Sequence, residues 1–381
     1  MRLFLLFLLT LLSSLSLPAP SRAQNSPTPL PALADDLEYR GLAAALKESC
    51  RYYDKAPDRI YEICGQRLSG RELSHSYRRL ISRLQELTTA EILPFLAENF
   101  SACRPAPLLV TGYYTPVLDS SLTPTARHRF PLHALPDQED LRRLRRQEIT
   151  GSSKLQDHEI AYLTDPVDLF FLQVQGSGIL KLPDNSRRLA AYAGSNGRPY
   201  TSIGKILIQE GKMTKEEVSL ATIRRYLSDH PQQQERILNL NERFIFFRLI
   251  TPEAAEPAPI GSLGSPLTPG RSVAMDGSHY PPGIMGILTS RRPLFDKEGR
   301  VSWQPFGRLV THQDSGAAIK GRHRLDLYMG SGPQKGQAAG LMKEEGNFVM
   351  LIPNLSFRKV HSIIGTGNHI TLSPQGEKRS P

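Results

Sequence analysis

Residues 324–328 read Arg324-Leu325-Asp326-Leu327-Tyr328, and this alternation of polar and apolar side chains predicts a β-strand. Leu325 and Leu327 would point into the core, with Asp326 on the opposite face beside Arg324 and Tyr328. Burial raises the pKa of a carboxyl group, and so does a second carboxylate nearby. A general acid that works near neutral pH needs that rise, so Asp326 is a candidate catalytic acid. An exposed aspartate on a strand edge is the structural alternative.

A second aspartate, Asp314, lies upstream in the stretch QDSGAAIKG at residues 313–321. The small residues around it would let backbone or substrate approach closely, which suits a cleft. Lys320 and Arg324 carry positive charges that would lower the pKa of a neighbouring carboxyl group if they came close. Asp276 ends a predicted strand, and we expect it to cap the following turn.

Apolar runs bounded by glycine and proline predict further strands in the second part of the chain. They cover residues 108–116, 169–178, 244–249, 272–275, 284–289, 308–311 and 348–353. The N-terminal part is helical, because capping boxes at Ser69 and Thr88 precede apolar residues at helical spacing. A helical interlude spans about 201–228, its second part capped at Thr214. The expected fold class is therefore mainly β with a helical N-terminal segment.

The N-terminus predicts export. An apolar run at residues 3–12 follows Arg2 and precedes the small-residue motif at 21–23, as in a secretory signal peptide that ends at residue 23. A membrane anchor is the alternative, but the run is shorter than the roughly 20 residues that span a bilayer. The proline-rich residues 24–35 would form a flexible leader. We expect secretion across the inner membrane to the periplasm or cell envelope, with no lipoprotein cysteine at the cleavage site.

Charge and cysteine content limit the partners. A formal net charge of +10 would draw a secreted protein to an anionic polymer such as cell-wall glycan, although solubility alone is an alternative. Export and the absence of nucleic-acid motifs argue against nucleic acid. Cys50, Cys64 and Cys103 allow one disulfide and one thiol, and the sequence does not choose among three pairings. No histidine–cysteine cluster has metal-ligand spacing, so neither a metal nor another cofactor is expected.

Small polar loops offer groups that suit a saccharide. Residues 175–178 read QGSG and residues 192–197 read YAGSNG, and both carry amides and hydroxyls that can pair with sugar hydroxyls. Each loop alone also suits an ordinary tight turn. Neither has the glycine spacing of a nucleotide-binding loop.

Taken together, the motifs resemble the membrane-bound lytic murein transglycosylase A family. They occur in the family's order over about residues 108–354. The matching stretches are TGYYTP at 111–116, VQGSG at 174–178, YAGSNG at 192–197, Tyr200, SIGK at 202–205, FFR at 246–248, LTPGRS at 267–272, and the Asp314 and Asp326 blocks. The C-terminal part is similar to the domain named for three aspartates, here Asp276, Asp314 and Asp326.

The resemblance implies a discontinuous architecture. Residues 36–115 and 258–360 would form a double-psi β-barrel domain, and residues 116–257 would form an inserted second β domain that is barrel-like. A glycan-binding groove would lie between the two. Residues 361–381 would be a loose tail.

The resemblance also implies an activity: cleavage of the β-1,4 bond between N-acetylmuramic acid and N-acetylglucosamine in peptidoglycan, without water, to leave a 1,6-anhydro ring. Asp326 matches the family's catalytic aspartate, and Asp314 would orient or tune it. The residues expected to bind substrate are Tyr113, Gln175, Gly176, Ser177, Gly178, Asn196 and Lys320. Glycan strands are the implied partner of a monomer, with cell-wall synthesis or division proteins as further candidates.

Three features depart from the family pattern. The lipid-anchoring cysteine is missing, Ala317 replaces a usual glycine and could crowd the site, and Asp276 is followed by an unusual turn. Two other functions therefore stay open. One is a glycan-binding protein without catalysis. The other is a glycosidase that uses Asp314 with Asp326, whose carboxyl groups would lie about 5 Å apart if retaining or roughly 6.5–9.5 Å apart if inverting.

Overall fold

The computed structural model describes residue 30 and residues 34–103, 106–251 and 257–358. The expected signal peptide, most of the expected leader and the expected tail at 361–381 lie outside these residues. Among the helices that the structure describes, none has the length and apolar character needed to cross a bilayer.

Helices and strands fall into three groups along the chain. The N-terminal group is α1 (Leu42–Asp54), β1 (Ile60–Ile63), β2 (Gln66–Ser69), α2 (Gly70–Glu86), α3 (Thr89–Asn99), β3 (Phe100–Ala102) and β4 (Ala106–Thr115). The middle group is β5 (Val117–Ser121), β6 (Phe130–His133), α4 (Glu139–Arg142), α5 (Arg146–Thr150), β7 (Glu159–Leu163), α6 (Pro166–Gln175), β8 (Gly178–Lys181), β9 (Arg187–Ser195), α7 (Ile203–Gln209), α8 (Leu220–Asp229), α9 (Pro231–Asn239) and β10 (Ile245–Ile250). The C-terminal group is β11 (Ser272–Ala274), β12 (Met285–Phe295), β13 (Val301–Asp314), β14 (Arg324–Ser331), α10 (Pro333–Leu341), β15 (Lys343–Pro353) and α11 (Leu355–Arg358).

Six strands close into a barrel in the order β12-β13-β11-β14-β4-β15, and β15 pairs back with β12. The β11–β13 and β14–β4 pairs are parallel, and the others are antiparallel. The barrel interior is filled by inward residues of every strand, including Leu325 and Leu327 as predicted. The predicted fold class, a double-psi β-barrel with a second β domain, is confirmed.

The N-terminal helices pack against one side of this barrel. Both predicted capping boxes form, with Ser69 and Thr88 at the helix starts. A shared core joins α1, α2 and α3 to barrel residues such as Met285 and Leu309. A disulfide links Cys64 to Cys103, and Cys50 is a buried thiol. The structure thereby selects one of the three pairings that the sequence left open.

A buried ion pair holds the start of the described chain to the barrel. The Arg271 guanidinium donates to both oxygens of Asp35 at 2.7 and 2.8 Å, and both side chains are fully enclosed. Arg271 also donates to the carbonyl oxygens of Arg40 and Leu309, both at 2.8 Å. Asp35 accepts from the Leu309 amide at 3.0 Å. Every charge in this cluster is therefore neutralised and hydrogen-bonded, which is the condition for burying an ion pair.

The middle group forms a second sheet in the order β10-β9-β8-β5-β7-β6, with helices packed beside it. The prediction of a strand over 169–178 was wrong, because most of this segment belongs to α6. Asp165 accepts from the Val167 amide at 2.8 Å and opens the helix, Pro166 occupies its first turn, and Gly176 closes it with a φ of 79°. The helix is buried on two sides, so its apolar residues show no helical period.

The helical interlude is three helices, α7 to α9. The capping bonds predicted at Thr214 do form with Glu217. The next helix nevertheless begins at Leu220, where Ser219 accepts from the Thr222 amide at 3.2 Å. The start of this helix was therefore predicted about five residues too early.

Candidate active site

Two neighbouring parallel strands bring the candidate residues together. In the register of β14 and β4, Asp326 lies opposite Thr111 and Tyr328 lies opposite Tyr113. Alternate residues of a strand share a face, and the intervening Leu325 and Leu327 are buried in the barrel. Asp326, Thr111 and Tyr113 therefore share the outer face. The rings of Tyr113 and Tyr328 lie 5.3 Å apart between centroids.

The Asp326 side chain is half-buried, and its Oδ1 atom is fully enclosed. Among the described residues, neither Oδ1 nor the facing Thr111 hydroxyl forms a hydrogen bond of full geometry, although the hydroxyl stands near enough to Asp326 to lower its pKa. Burial raises the pKa of Asp326 to about 6, against the opposing influence of the Thr111 hydroxyl and the Arg324 charge, while Asp314 adds a small further rise. A carboxyl group in this state can hold a proton near neutral pH and release it.

Asp314 stands at the end of β13, on the other side of β11. Both aspartates pair in register with Ala274 of β11. A bulge between Val273 and Ala274 in this pairing takes up the extra residue Gln313. Because neighbouring strands are about 4.8 Å apart, the two aspartate backbones are separated by about 10 Å.

Asp314 is held by three donors. Its Oδ1 accepts from the amides of Ser262 at 3.0 Å and Ser315 at 2.9 Å, and its Oδ2 accepts from the Tyr113 hydroxyl at 2.9 Å. Burial raises the pKa of Asp314, and these hydrogen bonds act in the opposite direction. Burial and the neighbouring Asp314 charge raise the pKa of Tyr113 well above its ordinary value, so the tyrosine stays a donor.

Asp276 caps a turn, as the sequence predicted. Its Oδ1 accepts from the amide and hydroxyl of Ser278 at 3.0 and 2.7 Å, and its Oδ2 accepts from the Gly321 amide at 2.8 Å. The Gly321 bond, the Ser278 bonds and the Lys320 charge lower the pKa of Asp276. Lys320 thus acts on Asp276. Ala317 is exposed, so its methyl group fills no enclosed space.

The QGSG loop begins at the last residue of α6 and lies close to the C-terminal end of β4. Gln175 Oε1 accepts from the Tyr114 amide at 3.3 Å, and a Cβ placed on Gly176 would meet only open space. Ser177 is buried. A Cβ on Gly178 would lie 2.4 Å from a methyl of Leu172, so close packing explains this glycine. Gln175 and Gly176 are the two residues of the loop that stand nearest to open space beside β4.

Asn196 is buried within the second sheet. Its Nδ2 donates to the carbonyl oxygens of Leu144 at 2.9 Å and Glu242 at 2.8 Å. Its Oδ1 accepts from the amides of Phe244 at 2.9 Å and Arg198 at 3.3 Å. These four bonds occupy the side-chain amide and explain the residue structurally. Its predicted contact with substrate has no support in this geometry.

Three further residues of this region, Thr111, Arg324 and Tyr200, were not predicted as site residues. Thr111 faces the catalytic candidate across the β4–β14 pair. Tyr200 comes from the second domain and lies close enough to Arg324 for that charge to lower the pKa of its phenol, which burial raises. The signals in the sequence were the position of Arg324 two residues from Asp326 and the presence of Thr111 and Tyr200 in the stretches that resemble the family. In the described part of the chain, no three histidine, cysteine or acidic residues are grouped to hold a metal ion.

Comparisons with known proteins agree with this architecture. The MltA specific insert domain matches residues 109–248, and the 3D domain matches residues 271–352. The membrane-bound lytic murein transglycosylase A of Escherichia coli K12 is 36% identical over 243 residues, which cover 63% of this chain and 64% of the relative. The Vibrio cholerae protein of the same name is 36% identical over 241 residues, with the same coverage. The match thus spans slightly less than two thirds of these relatives.

Solved structures extend the likeness. A membrane-bound lytic murein transglycosylase from Agrobacterium tumefaciens has a TM-score of 0.70 at 27% identity, covering 84% of this chain and 94% of that one. Escherichia coli MltA with bound chitohexaose has a TM-score of 0.68 at 28% identity, covering 86% and 95%. The closed barrel, the half-buried aspartate and the inserted β domain described above place this chain beside these lytic transglycosylase structures. The chain belongs to the membrane-bound lytic murein transglycosylase A family.

Proposed function

We propose that this protein is a lytic transglycosylase. It cleaves the β-1,4 bond between N-acetylmuramic acid and N-acetylglucosamine in peptidoglycan and leaves a 1,6-anhydro ring on the muramic acid. The observation that carries the proposal is the half-buried Asp326, whose enclosed Oδ1 has no hydrogen-bond partner in the described part of the chain. The bound chitohexaose of the Escherichia coli relative supports a saccharide as the ligand.

In the first step, protonated Asp326 gives its proton to the glycosidic oxygen. The bond between that oxygen and C1 of the muramic acid breaks, and its electron pair leaves with the oxygen. The positive charge that develops at C1 faces the newly formed carboxylate. Burial favours the neutral form of Asp326 before the reaction, which is what a general acid requires.

In the second step, the 6-hydroxyl of the same sugar attacks C1 while the Asp326 carboxylate takes its proton. A C1–O6 bond forms, the carboxyl group returns to its starting state, and no water is consumed. The attacking hydroxyl is tethered, so its effective molarity can reach the order of 10⁵ M or more. One carboxyl group is therefore enough, whereas a hydrolase of the usual kind needs two.

We assign Asp314 a positioning role. Its three hydrogen bonds fix the carboxyl group and the Tyr113 ring, which packs at a tilt against Tyr328. A nucleophile or water activator needs a free oxygen lone pair that is aimed at the sugar, and these donors compete for it. Gln175 and Gly176 are proposed to line the groove, with Lys320 at its edge beside Asp276.

We propose domain limits at residues 36–115 with 258–360 for the barrel domain and 116–257 for the insert. All barrel strands lie in the first two ranges, and all six strands of the second sheet lie in the third. The name of the relatives, membrane-bound, supports a place in the cell envelope. Export to the periplasm, a monomeric state and binding of cell-wall synthesis or division proteins are further proposals.

Digestion of isolated peptidoglycan sacculi tests the activity. We expect soluble muropeptides whose mass and lack of a reducing end identify 1,6-anhydro-muramic acid, and no product with the Asp326→Asn variant. Products with reducing-end muramic acid would overturn the transglycosylase mechanism in favour of hydrolysis. Binding to sacculi without any release would instead leave a glycan-binding protein.

A further inference from the structure

We propose that Arg324 binds a carboxylate of the substrate and selects muramic-acid-containing strands over uncharged saccharides. This inference rests on the proposed function. Two parts of peptidoglycan can supply the carboxylate: the stem peptide, or the lactyl group of muramic acid once the peptide has been removed.

Arg324 stands on the same strand face as the catalytic candidate. Arg324 and Asp326 are two positions apart on β14, with the buried Leu325 between them. Two residues along a strand advance about 6.6 Å, so the two side chains are neighbours without being in contact. No ion pair joins them within the described residues. A ligand group held by Arg324 would therefore lie beside the glycosidic oxygen that Asp326 protonates.

Among the described residues, the Arg324 guanidinium has a hydrogen-bond donor that no protein group uses. Its Nε is fully enclosed and has no hydrogen-bond partner among the described residues. The most buried arginines behave differently: Nε of Arg271, Arg308 and Arg146 each donates to an oxygen at 2.8 Å. An enclosed donor without a partner costs about 1–3 kcal/mol, and more when the group is charged. Arg324 is itself only partly buried, so the other N–H groups of the same guanidinium are the ones that a ligand carboxylate would meet.

The surroundings of Arg324 suit a carboxylate. Its charge acts on Asp326 from the barrel and on Tyr200 from the second domain, so it lies where the two domains approach each other. The planar guanidinium carries parallel N–H groups that match the two oxygens of a carboxylate. With Asp326 protonated at the start of the reaction, a substrate carboxylate would be the countercharge of Arg324.

Binding to the inactive Asp326→Asn protein tests the proposal without turnover. Three ligands are compared: strands with stem peptides, strands stripped to free lactyl carboxylates, and chitohexaose. Arg324→Met keeps the aliphatic stem and removes the charge, Arg324→Lys keeps the charge, and Arg322→Met removes a neighbouring exposed charge as a control. We expect Arg324→Met to weaken binding of a carboxylate ligand roughly tenfold or more, and binding of chitohexaose little. Arg324→Lys should be intermediate.

The binding results distinguish the two possible sources of the carboxylate and show which results overturn the proposal. Weakening confined to strands with stem peptides assigns the contact to the peptide, and weakening of stripped strands assigns it to the lactyl group. Equal weakening of all three ligands, or none, overturns the proposal, and so does an equal effect of Arg322→Met. Thermal melting checks that each variant is folded, with Arg324→Gln as the replacement if Arg324→Met is not. Because binding is measured, the result stands apart from whether the wild-type protein releases anhydro products.

Discussion

The Tyr113 hydroxyl lies 2.9 Å from Oδ2 of Asp314 and joins two residues that are 201 positions apart in the chain. The Tyr113 ring also packs against the ring of Tyr328 at a tilt of 48°, and Tyr328 stands two residues beyond Asp326 on β14. This hydrogen bond therefore connects the carboxyl group at the end of β13 to the two strands that hold the proposed catalytic acid. A chain of side-chain contacts through Tyr113 and Tyr328 therefore links the strands of the two aspartates, although β11 lies between them.

Removing that hydroxyl should lower the activity without unfolding the protein. In Tyr113→Phe, Asp314 keeps its two amide donors and loses its hydroxyl donor. A hydrogen bond to a charged group contributes about 1.5–3 kcal/mol, so we expect roughly a tenfold loss of kcat/KM on peptidoglycan. Tyr328→Phe is the matched control, because it removes a hydroxyl bonded to Thr115 in the same ring pair. A Tyr113→Phe rate equal to that of wild type would show that Asp314 needs no such support.

Asp326→Asn should abolish turnover and stabilise the fold. The residue acts as both acid and base, so the loss should be at least about 10³-fold. A carboxyl group with a raised folded-state pKa ionises more easily when unfolded, which costs stability as pH rises from about 4 through 6. The variant lacks this cost. We expect its gain in unfolding free energy over wild type to be larger at pH 8 than at pH 4, as measured by urea titration, and an equal gain would contradict the burial of this group.

The kcat/KM of the wild-type enzyme should fall on the alkaline side of its pH profile. The reaction starts from protonated Asp326, whose pKa is raised to about 6. We expect kcat/KM to fall tenfold per unit well above pH 6, because kcat/KM reports the titration of the free enzyme. Initial rates of release of soluble muropeptide across pH 4.5–8.5 measure the limb. A profile that is flat up to pH 8 would exclude Asp326 as the general acid.

Thr111→Val should move that limb to higher pH. The Thr111 hydroxyl favours the charged form of Asp326, and valine keeps the shape of the side chain while removing the hydroxyl. Activity measured at pH 5 should change little, and activity at pH 7.5 should rise. A variant that loses activity equally at both pH values would point to a direct contact of Thr111 with the sugar.

Arg271→Met should destabilise the protein strongly. The substitution leaves Asp35 enclosed without its countercharge, and breaking a buried pair costs about 3–5 kcal/mol. The double variant Asp35→Leu/Arg271→Met should lose less unfolding free energy than Arg271→Met alone, since neither charge of this pair is then left buried. Arg300→Met removes an exposed pair and should change the unfolding free energy by about 0.5 kcal/mol or less.

The sequence predicted strands best where alternation is strict. Residues 324–328 are the clearest example, and the burial of Leu325 and Leu327 follows the pattern. The ribbon formed by β12 and β13 extends far beyond the predicted 284–289 and 308–311. The outer half was not predicted, because its many charged residues obscure the period of two that marks a strand. The prediction for the α6 segment was wrong because this segment has too few polar residues. Burial on two sides removes the polar face by which a helix is recognised.

The site was predictable in its residues but not in its contacts. Asp326, Asp314 and Tyr113 lie in motifs, and all three come together. The facing of Thr111 and Asp326 depends on the register of two strands from distant parts of the chain, which no local pattern encodes. The contacts of Asn196 were hidden in the same way, because most of the carbonyl and amide groups that bond its side chain come from other parts of the chain.

The parallel pairing of β4 with β14 also determines when the candidate site can form during synthesis of the chain. Tyr113 is made roughly 200 residues before the strand it pairs with. An emerging polypeptide is synthesised from its N-terminus, so the helices and the second sheet can collapse while β4 still lacks a neighbour. Asp326 and Thr111 face each other only after residues 324–331 have paired with β4. On the proposed mechanism, a nascent chain that lacks residues 324–331 therefore has no general acid and cannot cleave a glycan.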